Sequence, residues 1–465
     1  LASVYALHVG EYFGLVGRIL MALASLSMPL FAITGWLLYL DRRRKKRAIQ
    51  LARGALGSST EGQHWLVGFA SQSGMAEQLA WRTAGQLQAA GIPVQVQSLA
   101  RVDAQTLRQA NRALFVVSTF GDGEAPDSAR GFERSLLGRE LALTDLSYAV
   151  LALGDRQYQQ FCGFARRLHG WLQQQGAHSL FTPVEVDSGD AIALVHWQQQ
   201  VSDLAGVPAQ VMAAEPFAEW RLLERECLNP GSCGAPTFLL RLQPPLGADW
   251  QAGDLLEVLP GNQAQAAVRE YSIASLPADG VLELLVRQER HPDGSLGLAS
   301  GWLTAGVALQ QPLLARLRRN SGFHAPLEAC PLILLGNGTG LAGLRSLLKQ
   351  RIGAGHSRNW LLFGERNAAH DFYCREELDG WLASGELARM DLAFSRDQAA
   401  KVYVQDRLRM AAEELRSWVA QGAAIYVCGS LEGMASGVDA VLREVLGAAQ
   451  VEQLLEAGRY RRDVY

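Results

Sequence analysis

A chain of 465 residues has room for about three domains, because one hydrophobic core seldom serves so long a chain. With 49% hydrophobic and 19% charged residues, the composition is that of a folded protein and excludes a disordered or fibrous one. A formal net charge of −3 gives no basic field, so nucleic acid is not expected as a partner. The six cysteines form no C-x-x-C pair, which argues against a zinc knuckle or a disulfide framework and fits a reducing cytosol.

The uncharged stretch from Ile19 to Leu40 predicts a transmembrane helix. At ~1.5 Å per residue it covers about 33 Å, which is enough for a bilayer core of ~30 Å. Six basic residues follow between Arg42 and Arg47, so we expect the rest of the chain on the cytoplasmic side. A buried soluble helix is the alternative, whereas a signal peptide would carry its basic residues before the apolar stretch. Because Leu1 opens a helical pattern, we expect the chain to be the C-terminal part of a longer protein.

His8 precedes this span and is either an interfacial histidine without a ligand or a haem ligand. The stretch Leu7–Arg44 resembles the last transmembrane helix of the PepSY-associated bacterial membrane proteins. This resemblance implies that His8 is a metal ligand to haem b. We therefore expect a membrane segment over 1–47 in a bacterial inner membrane, followed by a linker over 48–63.

Three loops that follow apolar strands carry hydroxyl residues, glycines and aromatic rings. They come after the predicted strands 65–70, 114–118 and 149–153. In an open parallel sheet such loops gather at the carboxyl edge, where they can surround a flat ring and a phosphate tail. The candidate residues are Ser71, Gln72, Ser73, Gly74, Met75, Ala76, Ser118, Thr119, Phe120, Gly121, Asp122, Gly123, Gly154, Asp155, Tyr158 and Phe161.

The order and spacing of these loops resemble the FMN-binding domain of sulfite reductase flavoproteins and cytochrome P450 reductase. The resemblance implies a flavodoxin-like, doubly wound domain over 64–206 that binds FMN, with Phe120 and Tyr158 stacking on the flavin ring. Asp122, Glu124 and Asp127 are either solvated turn residues or a docking site for an electron acceptor.

Short strands separated by turns predict an antiparallel β-barrel over 216–328. Within it, the segment 269–275 offers a cation for a diphosphate, an aromatic ring for a flavin and hydroxyls for its polar rim. It resembles the R-x-Y-S-x-x-S signature of the ferredoxin-NADP reductase family, and the segment 297–303 resembles that family's second FAD segment. The implied FAD-binding residues are Arg269, Tyr271, Ser272, Ser275, Gly297, Leu298, Ala299, Ser300 and Tyr465.

Alternating strands and helices predict a parallel α/β domain over 329–465. Its glycine-rich loop resembles the family's G-x-G-T-G-x-A/G pyrophosphate loop, with Asn337 where proline is commoner. Between Ser395 and Gln405 a hydroxyl, a guanidinium, an ammonium and a ring suit a 2′-phosphate, which favours NADPH over NADH; a solvated polar loop is the alternative. The NADPH-binding residues would be Gly338, Thr339, Gly340, Ser395, Arg396, Lys401, Tyr403, Gln405, Cys428 and Asp463.

Cys428 ends a predicted strand, and the chain closes with Asp463-Val464-Tyr465. A strand cysteine is commonly a core residue, and terminal residues commonly fray. In the diflavin reductases, however, the matching serine, cysteine, acid and terminal aromatic gather at the FAD ring. That resemblance implies catalytic roles for Ser272, Cys428, Asp463 and Tyr465, with Tyr465 shielding the ring until nicotinamide arrives.

Nicotinamide gives two electrons as a hydride, whereas iron centres accept one at a time, so a flavin that can hold either number must stand between them, and two flavins separate these tasks. We expect a membrane-bound NADPH-dependent diflavin oxidoreductase that passes electrons from NADPH to FAD to FMN, and then to haem or a ferric siderophore chelate. One alternative is a sulfite reductase flavoprotein-type NADPH-haemoprotein reductase with a soluble acceptor. A flavin-binding redox sensor is the alternative that is not an enzyme.

One departure limits what the resemblance implies. The stretch between Glu219 and the predicted nucleotide domain is too short for the large helical connecting insert of cytochrome P450 reductase. The placement of FMN relative to FAD is therefore not predicted.

Overall fold

The structure is a computed structural model and describes residues 65–156, 158–188, 190–206, 216–263, 266–326 and 328–465. The predicted transmembrane helix, His8 and the predicted linker lie outside the described residues. Within the described ranges, no helix is long and apolar enough to cross a membrane. The chain from His64 to Tyr465 forms one compact unit that contains three sheets.

The first sheet is parallel, with strand order β2-β1-β3-β4-β5 and with β6 pairing to β4. Its strands are β1 Trp65–Ala70, β2 Val94–Ser98, β3 Arg112–Ser118, β4 Ser147–Gly154, β5 His178–Ser179 and β6 Val184–Asp187. Strand β3 reads as a continuous apolar run because both of its faces are covered: Leu114 packs into one core and Phe115 into the other. This is the doubly wound order of flavodoxin-like proteins.

Helices cover both faces of this sheet. They are α1 Met75–Ala89, α2 Ala104–Gln109, α3 Arg130–Phe132, α4 Gly163–Gln174 and α5 Ala191–Ala205. Leu79 of α1 and Trp197 of α5 lie in the core on one face, whereas Leu107 of α2 and Phe164 of α4 lie in the core on the other. The predicted three-loop edge therefore lies between two helical layers.

The second sheet is antiparallel, with order β10-β9-β12-β7-β8-β11. Its strands are β7 Ala218–Cys227, β8 Thr237–Gln243, β9 Leu255–Val258, β10 Arg269–Ser272, β11 Leu282–Arg287 and β12 Pro312–Arg318. An antiparallel bridge between Ile273 and Leu284 joins its two outer strands, so the sheet closes on itself. This is the antiparallel barrel that the turn-rich sequence predicts. Helix α6 Leu298–Gly301 follows β11.

The third sheet is parallel, with order β15-β14-β13-β16-β17. Its strands are β13 Leu332–Asn337, β14 Asn359–Glu365, β15 Arg389–Phe394, β16 Ala424–Gly429 and β17 Tyr460–Val464. The helices of this part are α7 Leu341–Gly353, α8 Ala368–Asp371, α9 Arg375–Ser384, α10 Val404–Met410, α11 Ala412–Ala420, α12 Ser436–Leu446 and α13 Ala448–Glu456. Leu334 faces one core of this sheet and Leu335 the other, which is again the signature of a strand buried on both faces.

Single helical turns connect several of these elements. They are Leu99–Arg101, Asp127–Ala129, Glu133–Leu137, Pro260–Asn262, Pro277–Asp279, Trp302–Gly306, Ser321–Phe323, Gly338–Gly340 and Leu431–Ala435. The turn Ser321–Phe323 lies between the second and third sheets, so the antiparallel and parallel sheets of residues 216–465 are joined by a short connection.

Candidate functional site

The three predicted FMN loops meet at the carboxyl edge of the first sheet. The amide of Gln72 donates to Ser118 Oγ over 3.3 Å, and Ser118 Oγ donates to the carbonyl of Ala70 over 3.1 Å. The amide of Thr119 donates to the carbonyl of Leu153 over 2.8 Å. Hydrogen bonds thus join the loop after β1 to Ser118 at the end of β3, and they join the loop after β3 to strand β4.

Two buried hydroxyls in these loops have no hydrogen-bond partner within the protein: Ser71 Oγ and Thr119 Oγ1. A buried polar group without a partner costs free energy, so both positions fit a polar ligand. Gly74 adopts a left-handed conformation (φ 85°) at the start of α1, where the helix has no side-chain cap. Free backbone N–H groups at a helix start suit a phosphate. The loops therefore fit the phosphate and polar tail of FMN.

The acidic residues of the second loop have partners within the protein. Asp122 accepts a hydrogen bond from the amide of Gln160 over 3.0 Å, and Glu124 pairs with Arg130 over 2.8 Å. Asp127 is buried and forms an ion pair with Arg462. Asp127 is therefore not a solvated turn residue, which was one of the two interpretations of these acids.

The first FAD segment lies in the antiparallel barrel, on strand β10 and the residues that follow it. Arg269, Tyr271 and Ser272 lie on β10, and the segment 297–300 opens helix α6. Burial raises the pKa of Tyr271 above its ordinary value, so its ring remains a neutral phenol. Ser275 lies elsewhere: it is fully buried, donates to the carbonyl of Val281 and accepts from the amide of Glu283.

Ser272, Cys428 and Asp463 converge from three strands, β10, β16 and β17. Ser272 Oγ donates to Asp463 Oδ2 over 2.9 Å, and Cys428 Sγ lies 3.8 Å from the same oxygen. Burial, and then the nearby Asp463 carboxylate, raise the pKa of the Cys428 thiol well above its ordinary value. Burial also raises the pKa of the Asp463 carboxyl, against the opposing effect of the Ser272 hydrogen bond. The three side chains therefore form one group that can hold protons.

Tyr465 is held in place by its backbone and its hydroxyl. Its amide donates to the carbonyl of Gly429 over 3.1 Å, and its carbonyl accepts from the amide of Leu431 over 2.9 Å. Its hydroxyl lies 3.0 Å from Thr339 Oγ1, and 56% of the residue is exposed. Tyr465 is thus an ordered residue whose ring lies at the surface of the site.

The glycine-rich loop lies directly against the end of β16. A Cβ atom on Gly340 would overlap the carbonyl oxygen of Cys428, and one on Gly336 would lie 2.7 Å from the same oxygen. The side chain of Asn337 accepts from the amide of Ser430 over 3.0 Å, which ties this loop to the one after β16. The small residues of the motif therefore let two backbone segments touch.

The predicted 2′-phosphate residues occupy the loop between β15 and α10. Ser395 is buried, whereas Arg396 and Lys401 are exposed. Tyr403 is 43% exposed, and Gln405 Oε1 is buried without a hydrogen-bond partner. Two exposed cations and an exposed ring in one segment fit a phosphorylated nucleotide, whereas the Gln405 oxygen is an acceptor that would need a hydroxyl or N–H donor.

A single cavity of about 710 Å³ joins the candidate FMN and FAD residues. From the FMN loops it is lined by Gln72, Ser73, Ser118, Thr119, Phe120, Gly121 and Tyr158. From the rest of the site it is lined by Arg269, Tyr271, Ser272, the segment 297–300, Thr339, Asp463 and Tyr465. Several candidates do not line it: Ala76 and Phe161 pack in the flavodoxin-like cores, and Met75 lines a neighbouring cleft.

Sequence reasoning missed Arg462, which lines the same cavity between the two groups of residues. Its guanidinium carbon lies 4.7 Å from the centre of the Phe120 ring. It also missed Arg287, whose guanidinium forms an ion pair with Glu365 at the cavity wall. Arg462 opens the C-terminal segment 462–465 that resembles the family's ending, and this was the available signal; Arg287 lies in no recognisable motif.

Profiles of three protein families match parts of the chain. The flavodoxin family profile matches residues 67–196, the oxidoreductase NAD-binding domain profile matches 334–440, and the PepSY-associated TM region profile matches 1–42. The chain is a flavoprotein oxidoreductase that uses FAD, FMN and NADPH.

Its relatives include sulfite reductase (NADPH) flavoprotein alpha-components. That of Vibrio cholerae serotype O1 is 26% identical over 569 aligned positions, covering 93% of this chain and 92% of the relative. That of Neisseria meningitidis serogroup C is 28% identical, covering 85% of this chain and 88% of the relative. That of Yersinia enterocolitica is 27% identical, covering 85% and 89%. The chain is thus a diverged relative of the sulfite reductase flavoproteins.

Proposed function

We propose that the chain oxidises NADPH and delivers the electrons one at a time to a metal-centred acceptor at a membrane, either haem or a ferric chelate. The observation that carries the proposal is the single cavity of about 710 Å³ lined by both groups of flavin-site residues. A flavin can hold one or two electrons, so it can connect a two-electron donor to one-electron acceptors, and two flavin sites that share one cavity could divide these two steps. We also propose the domain bounds 64–206, 216–328 and 329–465.

Different residues would bind the two flavins. Ser71, Ser73 and Thr119 would hold FMN, with Phe120 and Tyr158 against its ring, and Arg269 and Tyr271 would hold FAD. Bound FAD would accept the hydride and bound FMN would release electrons singly. The shared cavity would keep the two rings close and limit the access of water between them.

Ser272, Cys428 and Asp463 would act at the nicotinamide. Two donors converge on Asp463 Oδ2, so this carboxyl group has a fixed orientation. A carboxyl and a thiol with raised pKa values can offer protons or hydrogen bonds where charge changes during hydride transfer. Tyr465 would cover the flavin face until the nicotinamide displaces its ring.

The match of residues 1–42 to the PepSY-associated TM region supports a membrane-associated N-terminus. We propose that this segment lies in a bacterial inner membrane, that the basic residues 42–47 keep the flavin domains in the cytoplasm, and that His8 is a ligand to haem b. Fusion of a membrane segment to the flavin modules favours an acceptor at the membrane.

The names of the relatives favour a second candidate, a sulfite reductase flavoprotein type of enzyme that serves a soluble haemoprotein. The visible spectrum of the full-length protein in membranes, before and after NADPH, separates the two. A Soret band that shifts on reduction supports the membrane haem. Absence of haem, together with reduction of an added soluble haemoprotein, supports the second candidate.

A flavin-binding redox sensor would bind flavin but oxidise NADPH negligibly. The purified full-length protein should instead release FAD and FMN in near-equal amounts and reduce ferricyanide with NADPH. Finding FAD alone after gentle purification and FMN supplementation would contradict the two-flavin proposal.

A further inference from the structure

We propose that Asn337 is a positioning residue for Tyr465: its side chain fixes the backbone of the chain terminus, so that only the ring of Tyr465 moves when nicotinamide arrives. The inference rests on the proposed function, because it takes Tyr465 as the ring that covers the flavin. Asn337 would thereby couple the glycine-rich loop (337–340) to the covering ring.

The backbone of Tyr465 is held by the segment 429–431, which begins at the end of strand β16. The Tyr465 amide donates to the carbonyl of Gly429 over 3.1 Å, and its carbonyl accepts from the amide of Leu431 over 2.9 Å. These two bonds continue the parallel pairing of β16 with β17, which places Ser430 opposite Tyr465. Terminal residues commonly fray unless they are tied down. The order of Tyr465 therefore depends on the order of the segment 429–431.

Asn337 holds this segment from the other side. Strand β16 lies between β13 and β17, and successive backbone amides on a strand point to opposite neighbours. The Ser430 amide thus points away from β17 and donates to Oδ1 of Asn337, the last residue of β13, over 3.0 Å. A Cβ atom on Gly429 would overlap the same oxygen, so the Asn337 side chain packs directly against the segment. One side chain therefore extends the pairing between β13 and β16 to the residue opposite Tyr465.

The glycine-rich loop also contacts the side chain of Tyr465. Thr339 lies two residues after Asn337, and its Oγ1 is 3.0 Å from the Tyr465 hydroxyl. The ring lines the shared cavity, so it can leave its position by breaking the contact with Thr339 alone. The backbone bonds to the segment 429–431 need not break. The loop thus holds the ring by one weak contact and the backbone, through Asn337, by a firmer one.

This arrangement depends on asparagine at a position where proline is commoner in the resembling family. Proline carries no side-chain acceptor, so it could not bond the Ser430 amide. Asn337 has a φ of −135°, whereas proline holds φ near about −65°. Both the side chain and the backbone of this residue therefore differ from what proline would give. The tie between the loop and the chain terminus is a property of this chain and not of the glycine-rich motif.

The test measures kcat/KM of the full-length protein, loaded with both flavins, for NADH and for NADPH. Asn337→Ala removes the acceptor and should raise the NADH to NADPH ratio about fivefold, since the terminus would then leave the flavin uncovered more often. Asn337→Asp keeps an acceptor oxygen and should return the ratio to that of the wild type. Its charge would weaken both nucleotides alike, because both carry the pyrophosphate. In a Tyr465→Ala background, Asn337→Ala should add nothing to the ratio, because no ring remains to be positioned.

A second pair of variants removes the donor instead of the acceptor. Ser430 has a φ of −63°, which proline adopts, so Ser430→Pro deletes the amide hydrogen without forcing the backbone. Ser430→Ala, which keeps the amide, is its control. The ratio should be about fivefold higher in Ser430→Pro than in Ser430→Ala. Retained flavin shows that a variant is folded, and this pair decides the matter if Asn337→Ala does not fold.

An unchanged ratio in Asn337→Ala would overturn the inference. So would a fivefold rise that persists when Asn337→Ala is added to Tyr465→Ala, because Asn337 would then act without the ring. A ratio that does not move even in Tyr465→Ala would instead refute the covering role of the ring in the proposed function.

Discussion

Asp127 and Arg462 lie 335 positions apart in the chain and form a buried, two-point ion pair between the flavodoxin-like half and strand β17. Arg462 Nε donates to Asp127 Oδ2 over 3.0 Å, and a second guanidinium nitrogen donates to Oδ1. Gln72 donates to the same carboxylate over 2.8 Å and to the carbonyl of Arg462 over 3.2 Å. A predicted FMN-loop residue is therefore part of the contact that joins the two halves.

Replacing Arg462 by alanine should loosen this contact, because a buried carboxylate left without its cation is strongly destabilising. We expect the unfolding free energy of the FMN-bearing half, followed by urea titration and FMN fluorescence, to fall by about 3 kcal/mol. Arg134→Ala removes an exposed pair with Glu456 between the same halves and should cost under about 1 kcal/mol. Similar losses of unfolding free energy in both variants would show that the buried ion pair stabilises the protein no more than the exposed one.

Replacing Asp463 by asparagine should slow hydride transfer by about 10²-fold, because the amide cannot hold the proton or the charge of the carboxyl group. The measurement is stopped-flow reduction of the flavin by NADPH at full FAD occupancy. Asp439→Asn, which alters a carboxylate bonded to Tyr460 over 3.3 Å, is the control and should keep the wild-type rate. An unchanged rate in Asp463→Asn would remove Asp463 from the reacting group.

The Cys162 thiol gives a prediction about alkaline pH. Burial raises its pKa from 9.0 to about 12. Between these values the folded state keeps a proton that the unfolded state releases, so stability is unaffected below pH 9 and falls above it. The slope from this thiol approaches about 1.4 kcal/mol per pH unit. Urea titrations from pH 8.5 to 10.5 should show a shallower fall in Cys162→Ala than in the wild type or in Cys233→Ala, whose cysteine is exposed. Parallel slopes in all three would contradict the assignment.

Replacing Arg396 and Lys401 together by alanine should weaken NADPH by about 10²-fold, since two charge-assisted contacts to the 2′-phosphate are lost. NADH lacks this phosphate, so its dissociation constant should change little. Arg416→Ala, at an exposed arginine that pairs with Glu413, serves as the charge-matched control. Equal losses for both nucleotides would show that the phosphate binds elsewhere.

Removing the ring of Tyr465 should raise the use of NADH relative to NADPH, because nicotinamide would no longer compete with a covering aromatic ring. Steady-state kinetics of Tyr465→Ala with both nucleotides measure this ratio. Tyr465→Phe keeps the ring and loses only the hydroxyl that lies 3.0 Å from Thr339, so it should resemble the wild type. If the ratio does not move in Tyr465→Ala, the ring does not gate the nicotinamide site.

Site residues could be predicted from the sequence where they lie in short motifs next to predicted strands. The loops after β1, β3 and β4 could be placed together because parallel strands end at one edge, and each loop carries its own hydroxyls and glycines. Ser272 and Cys428 lie in short motifs next to predicted strands, and the structure brings both to Asp463. Ser275 belongs to the same motif, but its hydroxyl hydrogen-bonds backbone groups inside the barrel instead of facing the site.

Contacts between distant segments could not be predicted in this way. Nothing near Asp127 or Arg462 marks them as partners, because an ion pair requires only opposite charges and proximity. Arg318 ends strand β12, and its contact with Ser73 depends on how the two halves pack. Three-dimensional packing, rather than local pattern, decides which arginines line the shared cavity.

Strand β17 lies at the edge of its sheet, where pairing with β16 alone leaves the alignment of the two strands open to slippage. Neighbouring residues on a strand point to opposite faces, so a shift by one position exchanges them. Such a shift would turn Asp463 towards the carboxylate of Asp127 and turn Arg462 away from it. Two buried carboxylates would then repel one another. The alternation of charge along β17 thus penalises misalignment of the strand, and the correctly aligned strand is the one that also brings Asp463 to Ser272 and Cys428.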